Sequence, residues 1–424
     1  MSALIRTWQI LIGVSLHALL LVAAQGRAAA PRHTVAASPA RPVTALPAEL
    51  TSPSCDDLDP ASLVQAIETE LPFLLPPADQ PAAARPASET AELHGPLLGQ
   101  QTLAEYARET LQPLLALARR GRAALCRALP RQFRLLRVAD LTQGHVTAYY
   151  HPVVRGSRQP SGPYTHPLYR RPSEPLSQLS TADILDGKLD GQQLELVYVE
   201  SLYTALNIHI EGSATIQLVE GGEINITPDG HNGHPYTNPF KLARAEHVVP
   251  PQQPDDPPPP PGQSRAQRFF LAHPEILRRY WAKNPHFVFF KESPLRGSGR
   301  FGQLVAGRSI AVDSRLLPLG VALWLRSEVA TGLRPTDRAE ETLFSPIARL
   351  TLAQDTGAAI RGRGRVDLFV GSGPNAQLAA ARTSRPGELF LIVRKKPPRR
   401  SRPAPTQRTA QQPSARPKRQ TAPS

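Results

Sequence analysis

The sequence predicts a mainly β protein with helices at its front, and three observations carry that expectation. Short alternating or β-branched runs divided by turn residues dominate from His145 onward. Helix start signals cluster before that point, at Asp59-Pro60 and around Leu103. No self-similar period of roughly 20–50 residues is evident, which argues against a propeller or solenoid. The 424 residues suit two or three domains, and 46 prolines require that part of the length be linker. The net charge of +14 sits at the ends. Ten Lys/Arg lie in residues 394–424 and four in 1–48, neither stretch holding an acid, so residues 49–393 are neutral. A neutral body lacks the clustered basic face that grips nucleic acid, and that class of partner is excluded.

Element by element, the chain begins with Arg6, an apolar run over Trp8–Ala24 and the small residues Ala28-Ala29-Ala30. This pattern predicts an export signal over residues 1–30; an uncleaved membrane anchor is the alternative. No cysteine stands directly after the run, so a lipoprotein anchor is not expected, and the expected location is periplasm or cell envelope. Residues 31–50 and 76–88 are Ala/Pro-rich linker or loop. Asp59 as N-cap and Pro60 at N1 predict a helix to about Leu75. A second helical stretch spans about Leu103–Leu129 with a kink at Pro113.

Strands are expected at His145–Val154, Leu194–Glu200, Leu206–Glu211 and Ala214–Val219. The proline-dense stretch 250–262 is a loop or boundary. Ser264 with Gln267 caps a helix to about Ala272, and Pro274 opens another ending near Asn284. Strands resume at Phe287–Lys291, Ser309–Val312, Ala322–Leu325, Ile347–Ala353, Val366–Val370 and Glu388–Val393. The basic, proline-rich tail 396–424 cannot bury apolar surface. It is either an inert solvating segment or a tether to an anionic wall or membrane surface.

Cys55 and Cys126 could pair in an oxidising compartment or remain two buried thiols. His231 and His234 have a spacing that permits metal ligation, but their Gly/Asn/Pro surroundings favour loop residues, and no metal or cofactor is expected. The stronger constellation is three aspartates at strand ends beside turns: Asp313, Asp355 and Asp367. Such carboxyls either staple loops by accepting backbone N–H groups or, when clustered, push one another's pKa upward and leave a neutral acid able to donate a proton. Asp355-Thr356-Gly357 also matches an aspartic-protease loop, but it occurs once, so a protease would have to pair two chains.

In order along the chain, TAYYHPVVRGSRQPSGPYTHPLYRRP, NIHIEGSATIQL, GHNGHPY, NPHFVFFKE, RGSGRFGQLVAGRSIAVDSRLLPLG, AQDTGAAIRG and VDLFVGSGPNA resemble the membrane-bound lytic murein transglycosylase A family. The resemblance covers Thr147 to about Val393. It implies a six-stranded double-psi β-barrel from residues 145–152 and 263–395 and a smaller β domain inserted at 153–249; outside what the resemblance implies, 250–262 is read as a proline-rich loop and 51–144 as a helical region packed on the barrel.

The family cuts the β-1,4 bond between N-acetylmuramic acid and N-acetylglucosamine of peptidoglycan without water, leaving a 1,6-anhydromuramyl end. What the resemblance implies is one acid/base, Asp367, with Asp355 and Asp313 ordering loops and raising its pKa. Thr147, Tyr149, Tyr150, His209, Glu211, Gly212, Ser213, Gln354, Gly371 and Gly373 map to a glycan groove, and the protein is expected to act as a monomer. Ala358 stands where the family carries a second glycine, and His151, His209, Glu211 and Ala214 also depart from its pattern. Those departures leave open a non-catalytic peptidoglycan-binding protein of the same fold.

Overall fold

Asp59 accepts the Ala61 N–H at 2.9 Å and opens the helix Pro60–Leu74. Leu63, Ala66, Ile67, Glu70 and Leu74 lie on one face of it and are buried. The computed structural model describes residues 41–42, 47–52, 55–76, 101–251, 264–332 and 342–395. The expected export signal, most of the linker and the basic tail lie outside them. Part of the expected linker is nonetheless structured: Arg41–Pro42 forms β1, and Ala48–Thr51 is a helical turn that buries Leu50.

The long helix expected over Leu103–Leu129 is divided. Leu103–Tyr106, with a Thr102/Glu105 capping box, runs through a π-helical turn at Ala107–Leu111 into Gln112–Arg119. Pro113 directly follows that π-helical turn, in which the Gln112 N–H reaches back to Ala107 O, and the helix runs on through it. The interruption falls instead at Gly121, whose φ of +88° turns the chain before the helix Arg122–Gln132. Cys55 and Cys126 form a disulfide that ties this helix to the start of the described chain.

Two sheets follow. The first contains β1, β2 (Phe133–Ala139), β3 (His145–His151), β12 (Ser309–Ala311), β13 (Ala322–Thr331), β14 (Leu343–Asp355), β15 (Arg365–Ser372), β16 (Ser384–Pro386) and β17 (Glu388–Arg394), in the order β1-β2-β17-β13-β14-β12-β15-β3-β16. It is mixed: β12/β14 and β15/β3 pair in parallel, the other neighbours antiparallel. Its apolar residues join the N-terminal helices in one core that includes Trp324, Phe390 and Tyr106. The buried Tyr106 hydroxyl donates to Ile392 O at 2.7 Å and accepts the Ala322 N–H at 3.1 Å. Backbones touch where β3 begins: a side chain on Gly144 would strike the Gly387 carbonyl, so both positions exclude a Cβ.

The second sheet, β5-β6-β4-β7-β8-β9, comprises β4 (Val153–Ser157), β5 (His166–Tyr169), β6 (Glu195–Val199), β7 (Ala214–Leu218), β8 (Glu223–His231) and β9 (Val288–Ser293). A separate core covers it. Short two-residue strands β10 (Ser298–Gly299) and β11 (Gly302–Gln303) form a hairpin beyond it.

Two expectations fail here. Leu206–Glu211 is not a strand: Ser201 caps the Thr204 N–H at 3.1 Å, and a helix Leu202–Glu211 ends on Gly212 at φ +80°. The cap and the left-handed glycine override the β-branched Ile208 and Ile210. Nor does the second unit end at 249. Helices Arg265–Ala272 and Pro274–Ala282 bury Phe270, Leu277, Tyr280 and Trp281 in the second core, and β9 pairs with β8. The chain re-enters the first sheet only after Ser293.

Candidate active site

The parallel pairing of β15 with β3 sets Asp367 opposite Thr147, and β12 on its other side sets it opposite Ala311. The Thr147 hydroxyl donates to Asp367 Oδ1 and accepts from Arg365 at 2.7 Å. Burial raises the Asp367 carboxyl above the usual range, while the Thr147 bond and the Arg365 and His145 charges pull it back. Asp367 is only half-buried, so the carboxyl is desolvated yet reachable.

Asp355 ends β14, its Oδ2 accepting from the Tyr149 hydroxyl at 3.0 Å and its Oδ1 from the Thr356 N–H at 2.8 Å. Burial, reinforced by the negative charge of Asp367, pushes its pKa to about 6. Tyr149 packs its ring 5.3 Å from Phe369 and stays protonated, raised first by burial and then by Asp355. Glu211, at the end of its helix, accepts the Tyr150 N–H at 3.2 Å. Burial, countered by that bond and reinforced by Asp367, lifts its pKa to about 8. Three acids thus share one polar site: Glu211 keeps its proton at neutral pH, Asp355 releases its proton near 6, and Asp367 is raised above its ordinary value.

The remaining expected site residues are elsewhere or otherwise engaged. Asp313 does not raise the acid's pKa. It is fully buried, bound by Arg315 at 2.8 and 2.7 Å, and accepts the Gly362 N–H at 2.9 Å. The Arg315 bonds hold its pKa down at about 2, so it clasps two loops as an anion. Gln354 does not face a groove; at 2% exposure it bonds Ala66 O, Glu70 and Ser309. Tyr150 is buried with its hydroxyl on Asn207 at 2.8 Å.

His209 packs its ring at steep angles against Trp281, Phe287 and Phe290 of the second core. That burial drops its pKa to about 3. Ser213 is bound to the buried His151, whose pKa burial lowers to about 4, and Gly212 is the helix C-cap. Gly371 and Gly373 take φ of +104° and +86° and shape the turn after β15. Ala358 is exposed, so its extra methyl meets solvent rather than backbone. His231 accepts the Gly233 N–H and His234 bonds Gln178 O, as loop residues. Among the described residues no group of three or more His, Cys, Asp or Glu is placed to hold a metal.

Arg365 and His145 were not legible as site residues, although Arg365 lies two positions before Asp367 and strand alternation puts it on the same face. His145 is its register partner on β3.

Comparison with known proteins resolves the family. One family model, the MltA specific insert domain, matches residues 145–291, and another, the 3D domain, matches 308–393. The chain belongs to the membrane-bound lytic murein transglycosylase A family. The Vibrio cholerae protein named membrane-bound lytic murein transglycosylase A is 27% identical over 257 residues, a match covering 59% of this chain and 66% of that one. The Buchnera aphidicola protein named as its homolog is 25% identical over 54% of this chain and 61% of its own. The chain therefore spans somewhat under two thirds of these relatives. The fold is also that of the E. coli MltA crystal structure with bound chitohexaose, with a TM-score of 0.61 at 20% identity, covering 85% of this chain and 96% of that one. The MltA specific insert match ends within β9, in keeping with the second core reaching beyond residue 249.

Proposed function

We propose that this protein is a peptidoglycan lytic transglycosylase acting in the cell envelope, with Asp367 as sole acid/base. One observation carries the reading: of the three aspartates, Asp367 alone combines a raised pKa, partial exposure and freedom from a direct carboxylate–arginine ion pair or a Tyr donor. Protonated Asp367 gives its proton to the bridging oxygen as the C1–O bond of the muramyl unit breaks, freeing the C4 hydroxyl of the next sugar. The conjugate base then takes the proton of the muramyl C6 hydroxyl as its oxygen bonds C1. Atoms balance without water, and the attacking oxygen is already attached to the reacting ring. Thr147 orients the carboxyl, and Asp355 with Tyr149 keeps the floor of the site polar.

The domain reading belongs to the same proposal. Strands β13, β14, β12, β15, β3 and β16 close as the six-stranded double-psi barrel; supporting this, Ser327 Oγ donates to Pro386 O at 2.8 Å and the Ala330 N–H to Thr383 Oγ1 at 3.1 Å, joining the open ends. Residues 1–30 serve as export signal, the basic tail as tether to an anionic surface, and a single chain carries the whole site.

Mass spectrometry of muropeptides released by the purified protein tests the chemistry. Anhydro ends are expected, lighter by one water than the hydrolysis product, and Asp367→Asn should lower their release at least ~100-fold. Reducing muramic acid ends, or an Asn variant as fast as wild type, would overturn the assignment.

A further inference from the structure

The second unit carries a cleft of its own, about 370 Å³, between β5–β6 and the helices Thr181–Leu185, Leu202–Glu211 and Pro274–Ala282. None of the residues around Asp367 lines it. One wall is aromatic: Trp281 and Phe287 stack with their planes 7° apart, and Tyr169 packs against Phe287. A bulge in the β5/β6 ladder between Leu168 and Tyr169 sets Tyr169 opposite Glu195, and bulges re-aim side chains in this way.

Tyr169 is only 6% exposed, yet its hydroxyl has no hydrogen-bond partner among the described residues and opens on the cleft. The Glu195 and Asp190 carboxylates, also in the lining, have no side-chain hydrogen bond or ion pair among those residues either. Both act on the Tyr169 and Tyr198 hydroxyls, which burial first and these charges second raise above the ordinary phenol. The one cation in the lining, Arg278, is turned to Asp186 and Leu185 O. Two carboxylates without an ion pair among the described residues, aromatic rings and an unpartnered hydroxyl as acceptor in one lining suit a small cation with N–H donors.

We infer that this cleft binds a primary ammonium group, seated on the Trp281–Phe287–Tyr169 wall with Asp190 and Glu195 as counter-charges. The ammonium can belong to a free amine or to an amino-acid side chain of a peptide. The inference stands apart from the chemistry at Asp367.

Titration of the full chain with n-butylamine, n-butanol, the peptide Gly-Lys-Gly and its Nε-acetylated form, read by Trp fluorescence and calorimetry, tests it. Butylamine or the free-lysine peptide should saturate, and butanol and the acetylated peptide should not. Asp190→Asn and Glu195→Gln should each weaken binding at least tenfold, and Tyr169→Phe, which keeps the ring, should weaken it less. Saturation by the peptide as well as the amine assigns a peptide-borne ammonium; saturation by the amine alone assigns a free amine. No saturation by either cation, equal binding of butanol, or unchanged affinity in the Asp190→Asn/Glu195→Gln protein with wild-type melting would overturn the site.

Discussion

Glu70 offers a clean test of how the N-terminal helix meets the sheet. Its side chain is fully buried, Oε2 accepting from Gln354 at 3.1 Å and Oε1 without a partner among the described residues. Desolvation raises its pKa to about 8 from 4.5, against the smaller opposing pull of Gln354. The folded protein therefore holds a proton that the unfolded chain releases near pH 4.5. Its contribution to stability is full below that point, falls as pH rises, and levels off above about 8. At pH 7, roughly 2.5 units above the unfolded value, the loss is about 3 kcal/mol.

Glu70→Gln, shaped like the protonated acid, should remove this dependence. Urea midpoints of wild type and variant, measured from pH 4.5 to 8 with the disulfide intact, should diverge in the variant's favour by about 3 kcal/mol at pH 7. Parallel curves, or a variant that loses stability faster on going alkaline, would refute a buried protonated Glu70.

Other outcomes follow from the same geometry. Arg365→Met removes a charge that lowers the Asp367 pKa, so the alkaline limb of the kcat/KM–pH profile should move to higher pH; an unmoved limb would detach Arg365 from the acid. Tyr149→Phe deletes the donor to Asp355. It should raise the Asp355 pKa above 6 in carboxyl NMR and cost about 1 kcal/mol of stability. Reducing Cys55–Cys126 should cost about 2–5 kcal/mol in urea unfolding, and no change would mean the bridge constrains little of the unfolded chain.

Much of the fold could be read from the chain because local signals and tertiary packing agreed. Asp59-Pro60 marks its helix to within a residue, and the alternating runs at Ala322, Ile347 and Glu388 each lie inside an observed strand. Reading failed where a short feature outvoted composition. Gly212 and Ser201 make a helix of a β-branched stretch, and Gly121 rather than Pro113 divides the second helical region. At the site, strand register delivers Thr147 to Asp367, a relation between residues 220 apart that no local pattern contains. Gln354 and His209 fell in matching blocks, but sequence order does not say which face of an element is covered. The N-terminal helix covers one and the Trp281 helix the other.

Arg308, at the threshold of β12, is wholly enclosed. Its guanidinium is neutralised by Asp56 at 2.6 Å and held by Ser62 Oγ and the carbonyls of Asp59 and Leu350. Most of those partners precede residue 145, where the recognisable family segments begin. Asp56→Ala in the full chain, which removes the anion and leaves the enclosure, would strand a buried guanidinium, a defect of about 3–5 kcal/mol. Residues 55–76, which lie ahead of both matched family segments, are thus part of what holds the first sheet together.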